Sequence, residues 1–130
     1  MEIISKSGSV FKNKDTHTKI VDMLKLVTKK GGTAEKAAVK GYETAGKTGT
    51  AQKLINGVYS DSQGFASFIG FVPADKPAFV LLVTADNPQP VHYGGLVAAP
   101  AFSRIAKKTL RFLNVPTEYE IPDDEEDDDL

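Results

Sequence analysis

At 130 residues, with 41% hydrophobic and 25% charged residues, the chain has the make-up of one small globular domain with a modest core. It contains no cysteine and only two histidines, His17 and His92, which excludes disulfides and thiolate sites and leads us to expect no metal and no cofactor. The net charge of −1 conceals a split, because residues 123–129 hold 7 of the 17 acids and leave 10 acids against 16 bases in residues 1–122. A block of like charge predicts a disordered acidic tail, placed here over residues 117–130. The bases elsewhere are scattered without interleaved aromatics, which argues against a nucleic-acid partner. No apolar run is long enough to span a bilayer, and the first residues lack the pattern of a signal peptide.

Along the chain, residues 2–11 hold two short β-prone runs around Ser7-Gly8 and predict a hairpin. Ile20, Met23, Leu24 and Val27 recur at helical spacing and predict a helix over 16–30, capped by Asp15 or Thr16 and ended by Gly31-Gly32. One helical turn is expected at 34–38. Strands are predicted near 43–53, 65–72 and 78–85, with a polar turn-rich passage over 56–64. They should form an antiparallel meander, and the continuous apolar run of 78–85 predicts burial on both faces of that strand. Tyr93-Gly94-Gly95 reads as a loop, and Pro100 fits the first turn of a final helix over 99–113. The fold class expected is therefore α+β, without internal repeat or second domain.

Residues 42–52, Tyr-Glu-Thr-Ala-Gly-Lys-Thr-Gly-Thr-Ala-Gln, admit two chemistries. Gly41, Gly46, Lys47 and Thr48 stand at the spacing of a phosphate-binding loop. That motif requires a buried strand before the loop and a helix starting at Lys-Thr. Ala-Glu-Lys-Ala-Ala-Val-Lys precedes Gly41, and Gly49-Thr50-Ala51 soon reaches Asn56-Gly57, so neither condition is met. A P-loop nucleotide-binding protein is thereby the weakest alternative. Read as a strand, the same residues place Lys47 and Gly49 on one face and Thr48 and Thr50 on the other. Gly49 would leave room for another backbone, and an exposed strand edge can pair with an extended peptide.

Lys47-Thr48-Gly49 is one of three signature elements of penicillin-binding proteins and serine β-lactamases. With residues 45–52, then 66–75, then Tyr93-Gly94-Gly95 and Val97-Ala-Ala-Pro100 in this order, residues 1–116 resemble the C-terminal part of the transpeptidase domain of class B penicillin-binding proteins. The resemblance implies a partial penicillin-binding transpeptidase fold and a share in acyl transfer from a peptidoglycan stem peptide to a serine, the step that β-lactams trap. By the same resemblance, Lys47 supports proton transfer and draws in the substrate carboxylate. Thr48 and Thr50 offer hydroxyls to that carboxylate, the Thr50 N–H is an oxyanion donor, and Gly49 lets substrate lie along the strand.

The family's other two elements are missing. Ser9-Val-Phe-Lys12 has the spelling of the nucleophile motif, but it lies in a hairpin pattern, with only 38 residues to Lys47 and no apolar helix after it. Ser-x-Asn occurs nowhere. The chain alone is therefore expected to be inactive and to represent part of an enzyme. Its expected partners are the remainder of the transpeptidase domain and, in the intact protein, stem peptides and β-lactams. An exposed interface could also support a homo-oligomer. The intact protein is expected to be membrane-anchored and to face the periplasm or outer wall. The alternative of a different class is a non-catalytic peptide- or penicillin-recognition module using the same edge.

Overall fold

The computed structural model describes residues 10–121, in the order α1 (Lys14–Leu26), a 3₁₀ turn (Glu35–Ala37), β1 (Ala45–Ile55), β2 (Val58–Val72), β3 (Phe79–Asp86) and α2 (Gly94–Phe112). The expected hairpin at 2–11 lies almost wholly outside the described residues, as do residues 122–130 of the expected tail. The α+β class and the antiparallel meander hold, with strand order β1-β2-β3.

Helix α1 starts earlier than expected because Asn13, rather than Asp15 or Thr16, caps it, its side chain accepting the Asp15 N–H at 2.8 Å. It ends at Leu26, and Ala34 N–H reaches back to the Val27 carbonyl at 2.9 Å across a turn that uses Gly31 at φ 81°. Lys29 then lies beyond the helix and pairs with Glu43 at 2.6 Å. Lys25 in the last turn instead meets Asp75 at 2.6 Å, tying α1 to the 73–77 turn. Thr28, buried, donates to the Thr44 carbonyl at 2.7 Å and fixes the approach to β1.

The passage 56–64, expected as turn, is mostly strand. Asn56 (φ 51°) and Gly57 (φ 82°) alone make the reversal, as a two-residue hairpin with both centres left-handed requires. Strand β2 therefore begins at Val58, and the β1–β2 hairpin extends as an arm with a register shift between Gln52 and Leu54. Lys53 lies over the Phe65 ring at 4.8 Å and pairs with Asp86, linking all three strands at the arm's base.

Helix α2 covers one face of the sheet. It begins at Gly94, five residues before the expected start, so Gly94-Gly95 open the helix instead of forming a loop, and Pro100 sits inside it. A Cβ on Gly94 would stand 2.2 Å from the Ser67 carbonyl oxygen, and one on Gly95 2.0 Å from that of Thr33. The pair exists for close approach. Phe68, Val72, Phe102 and Leu110 fill the layer between helix and sheet, with Ala98, Ala99 and Ala106 keeping the helix low. Phe68 and Phe102 meet edge to face at 4.8 Å between ring centroids.

Strand β3 corrects a further expectation. Phe79, Leu81 and Val83 pack toward the core, but Val80 and Leu82, on the face away from α2, are 65% and 59% exposed. Its apolar run reflects two apolar faces of which the described residues cover one. Met23 on α1, expected on the packing stripe, is likewise exposed.

After α2, Asn114 takes a left-handed conformation (φ 53°) and turns the chain back over residues 41–43. Tyr42 Oη donates to the Val115 carbonyl at 2.7 Å, Glu118 N–H to the Gly41 carbonyl at 2.8 Å, and Tyr119 Oη to the Tyr42 carbonyl at 2.9 Å. The Glu118 carboxylate accepts the Glu43 N–H at 2.7 Å. Residues 117–121, assigned to the tail from sequence, thus form a hydrogen-bonded strap.

Two outcomes follow from this packing. Phe102→Ala should lower the unfolding free energy by about 3–5 kcal/mol, read by chemical denaturation, because a fully buried ring leaves a cavity beneath Phe68. Burial raises the Tyr42 and Tyr119 hydroxyls above 10.0, and the Asp75 hydrogen bond raises the Lys25 ammonium above 10.5. Each raised value favours the protonated form in the folded state, so its stabilisation is complete below the unfolded pKa and lost as pH climbs through the folded one. Thermal unfolding midpoints should therefore hold level up to about pH 10 and fall above it, with a shallower fall in Tyr119→Phe.

Candidate functional site

The residues singled out from sequence lie on β1, an outer strand of the three-stranded sheet, which among the described residues pairs only with β2. Alternation places Lys47 and Gly49 opposite Ile69 and Ser67 on the face away from α2, and Thr48 and Thr50 opposite Phe68 and Ala66 on the α2 face. The lysine does not stay on its own face. Its Nζ bends over the strand edge and donates to the Thr48 carbonyl at 3.0 Å and to Thr48 Oγ1 at 3.3 Å. Lys47, Gly49 and Thr50 are exposed and Thr48 is half-buried, so the group presents a cation and two hydroxyls along one accessible edge.

The glycines around this edge divide by purpose. A Cβ on Gly46 would lie 2.4 Å from the Phe68 ring and 2.6 Å from the Ile69 carbonyl oxygen, so Gly46 seats β1 on the core. Gly94 brings the start of α2 against the backbone of Ser67 and of Gly49, whose carbonyl oxygen would stand 3.1 Å from an added Cβ. Gly49 itself is different. Among the described residues an added Cβ would meet only the Ser67 Cβ, at an ordinary 3.7 Å, so no described backbone needs the space it leaves.

Beyond Thr50 the edge runs into a cleft of about 230 Å³, lined among others by Thr50, Gln52, Asp61, Gln63, His92 and Tyr93. His92, beside Tyr93-Gly94-Gly95, has the sequence setting of a solvated loop histidine. Its Nδ1 is in fact buried, with no hydrogen-bond partner among the described residues, and the ring tilts against Tyr93 at 6.3 Å. The signal for it was its place beside Gly94-Gly95, but only the pairing register, which draws Thr50 and Gly64 to the start of α2, brings it to the strand edge. Among the described residues no group of His, Asp and Glu is placed to hold a metal, and no helix is long and apolar enough to cross a membrane.

An antiparallel sheet backed on one face by a helix that follows it, with Lys-Thr-Gly on its outer strand, places the chain in the α+β class. Residues 5–107 match the model of the penicillin-binding protein transpeptidase domain, and the chain belongs to that family. It is 37% identical over 115 residues to a probable peptidoglycan D,D-transpeptidase, PenA, of Neisseria meningitidis, covering 88% of this chain and 20% of the relative. It is 47% identical over 85 residues to stage V sporulation protein D of Bacillus subtilis, covering 65% of this chain and 13% of that one. Among solved structures, the apo transpeptidase domain of penicillin-binding protein 3 from Burkholderia pseudomallei aligns with a TM-score of 0.73 and 40% identity, over 82% of this chain and 32% of that one. Penicillin-binding protein 3 of Mycobacterium tuberculosis, complexed with ampicillin, aligns with a TM-score of 0.71 and 36% identity, over 83% of this chain and 26% of that one. The chain thus spans about a fifth of the length of the PenA relative.

The two kinds of glycine predict opposite phenotypes. Gly94→Ala should destabilise the fold by about 1–3 kcal/mol, because the methyl has only backbone to displace, and should speed hydrogen exchange at the start of α2. Gly49→Ala should leave stability within about 0.5 kcal/mol of the parent chain, as an exposed substitution with ordinary contacts does, so that any loss of ligand binding there is steric.

Proposed function

We propose that this chain is the Lys-Thr-Gly part of a peptidoglycan D,D-transpeptidase and forms one wall of its active-site cleft. The observation that carries the proposal is the edge of β1 left unpaired among the described residues, on which Lys47, Thr48 and Thr50 stand together in a member of the transpeptidase family. The reaction class is acyl transfer. A serine hydroxyl attacks the carbonyl carbon of the penultimate D-alanine, its proton passes to a base, and terminal D-alanine leaves as an amine carrying a proton. An acceptor amine then attacks the serine ester, forms the crosslinking amide, loses its proton and frees the serine.

In this scheme the Lys47 ammonium draws in the terminal carboxylate and assists proton transfer beside the serine. The Thr48 and Thr50 hydroxyls hold the carboxylate, and the Thr50 N–H takes one side of the oxyanion. Gly49, where an added Cβ would meet no described backbone, leaves room for an extended peptide to lie along the edge. The nucleophile is supplied from outside this sequence, which contains no Ser-x-Asn and only Ser9-Val-Phe-Lys12 as a spelling of the serine motif.

The partner proposed to bring it is the remainder of the transpeptidase domain, packed on the sheet face away from α2. Ile69, Val80 and Leu82 make that face apolar and exposed here, which is the surface such a partner would cover. A second copy of this chain is the competing occupant. The intact enzyme would act at the outer face of the cell membrane, where its stem-peptide substrate and the β-lactams that mimic it are met.

Co-expression with a segment carrying Ser-x-x-Lys and Ser-x-Asn tests the proposal. The pair should run as a heterodimer in light scattering and form an acid-stable adduct with a fluorescent penicillin. Lys47→Ala in the same pair should slow acylation about 100-fold or more without dissolving it. Reversible binding of acyl-D-Ala-D-Ala by the chain alone, with no adduct in the pair, would instead favour a recognition module.

A further inference from the structure

Helix α2 turns Phe102, Ala106 and Leu110 to the sheet, which leaves Ala101, Arg104, Ile105, Lys108 and Phe112 on its outer side. Two of these are large, apolar and open, Ile105 being 46% and Phe112 84% exposed. They stand seven residues apart, two helical turns along one face. The bases of the helix are Arg104, Lys107, Lys108 and Arg111, and from Gly94 to Phe112 it carries no acid. Arg104 and Lys108, four residues apart, are exposed and make no ion pair or hydrogen bond among the described residues. A row of free cations therefore runs beside a row of open apolar side chains.

We propose that this outer face of α2 docks on the surface of an anionic lipid membrane. Ile105 and Phe112 enter the acyl boundary, and Arg104 and Lys108 stand among the headgroup phosphates. A basic row beside an apolar row on one helix is the pattern that an anionic interface selects. Phe112 lies about 10 Å along the axis from Ile105, and Lys108 falls between them. Its stem can run along the apolar row while its ammonium reaches a phosphate. Arg104, one turn before Lys108, adds a planar fork that suits phosphate oxygens.

Shape and size favour a membrane over a protein partner. From Ala101 to Phe112 the face is about 17 Å long and one helix, about 10 Å, wide. That footprint is far below the roughly 800 Å² per partner that a stable protein interface buries. The face is also a convex ridge, whereas protein partners anchor their strongest contacts in pockets. Lipid closes around a ridge. The inference uses no residue of β1 and stands apart from the acyl-transfer reading. The open face with Ile69, Val80 and Leu82 lies on the other side of the sheet, so both surfaces can be covered at once.

Sedimentation of the full chain with lipid vesicles tests the proposal. At about 0.1 M salt it should bind phosphatidylcholine vesicles that contain phosphatidylglycerol and ignore those of phosphatidylcholine alone. Arg104→Gln and Lys108→Gln should each weaken binding about fivefold. Phe112→Ser should weaken it about tenfold, and so should 1 M salt, where screening falls to about 3 Å. The exposed pair Lys36→Gln and Lys76→Gln removes the same charge elsewhere and should leave binding unchanged. Because the chain has no cysteine, a polarity-sensitive dye can mark one position at a time. Its emission should shift to the blue on vesicles from Phe112→Cys and stay constant from Asn56→Cys at the hairpin turn. Absence of binding to the anionic vesicles overturns the proposal, as does equal loss in the Lys36 and Lys76 pair. A shift at Asn56→Cys instead would place the membrane on the arm and overturn it. So would a shift at Phe112→Cys that grows with protein concentration without vesicles, which would put a second copy on the face.

Discussion

The fold depends on how closely α2 can lie against the sheet. The contact at its centre is the edge-to-face pair of Phe68 and Phe102, and glycine or alanine stands wherever a larger residue would lift the helix off that pair. Gly70 faces the Phe102 ring with only 2.8 Å for an added Cβ, and Gly46 faces the Phe68 ring from β1 with 2.4 Å. Since dispersion attraction falls off over fractions of an ångström, the removed side chains and the large rings form one device. It seats β1, and with it Lys47, at a fixed height over the core.

That same arrangement explains why the sheet is lopsided. All the described packing of β3 is on the α2 face, and the other face carries Val80, Leu82 and Ile69 open to solvent. An exposed apolar face of this kind is the surface on which the proposed partner would pack. The Lys47-bearing edge borders this open face.

Much of this was legible in the residues. Apolar runs in 65–72 and 78–85, and helical spacing in 20–27 and 102–113, located each main element, although β2 starts at Val58 rather than 65 and α2 at Gly94 rather than 99. The departures have physical causes. The polar run 60–63 hid a strand that needs no core partner, because the tight turn at Asn56 and Gly57 folds it onto β1. Gly94 and Gly95 suggested a loop by propensity, whereas tertiary contact with Ser67 and Thr33 made glycine the residue that fits there in a helix. The apolar run of 79–86 could not say which of its faces this chain would cover. For the site, Lys47 to Thr50 could be picked out because four residues in a row spell the chemistry. The cleft with His92 could not, since it joins positions some forty residues apart through a strand register.

The strap over residues 41–43 has a consequence for where appended chain emerges. Tyr119 and Glu118 fasten it at the Ala45 end of β1, beside the entry of that strand, and Ile121 leaves there. The Asn56-Gly57 turn lies at the other end of an 11-residue strand, roughly 35 Å away along it. The described chain therefore leaves Ile121 at the end of β1 opposite the hairpin arm.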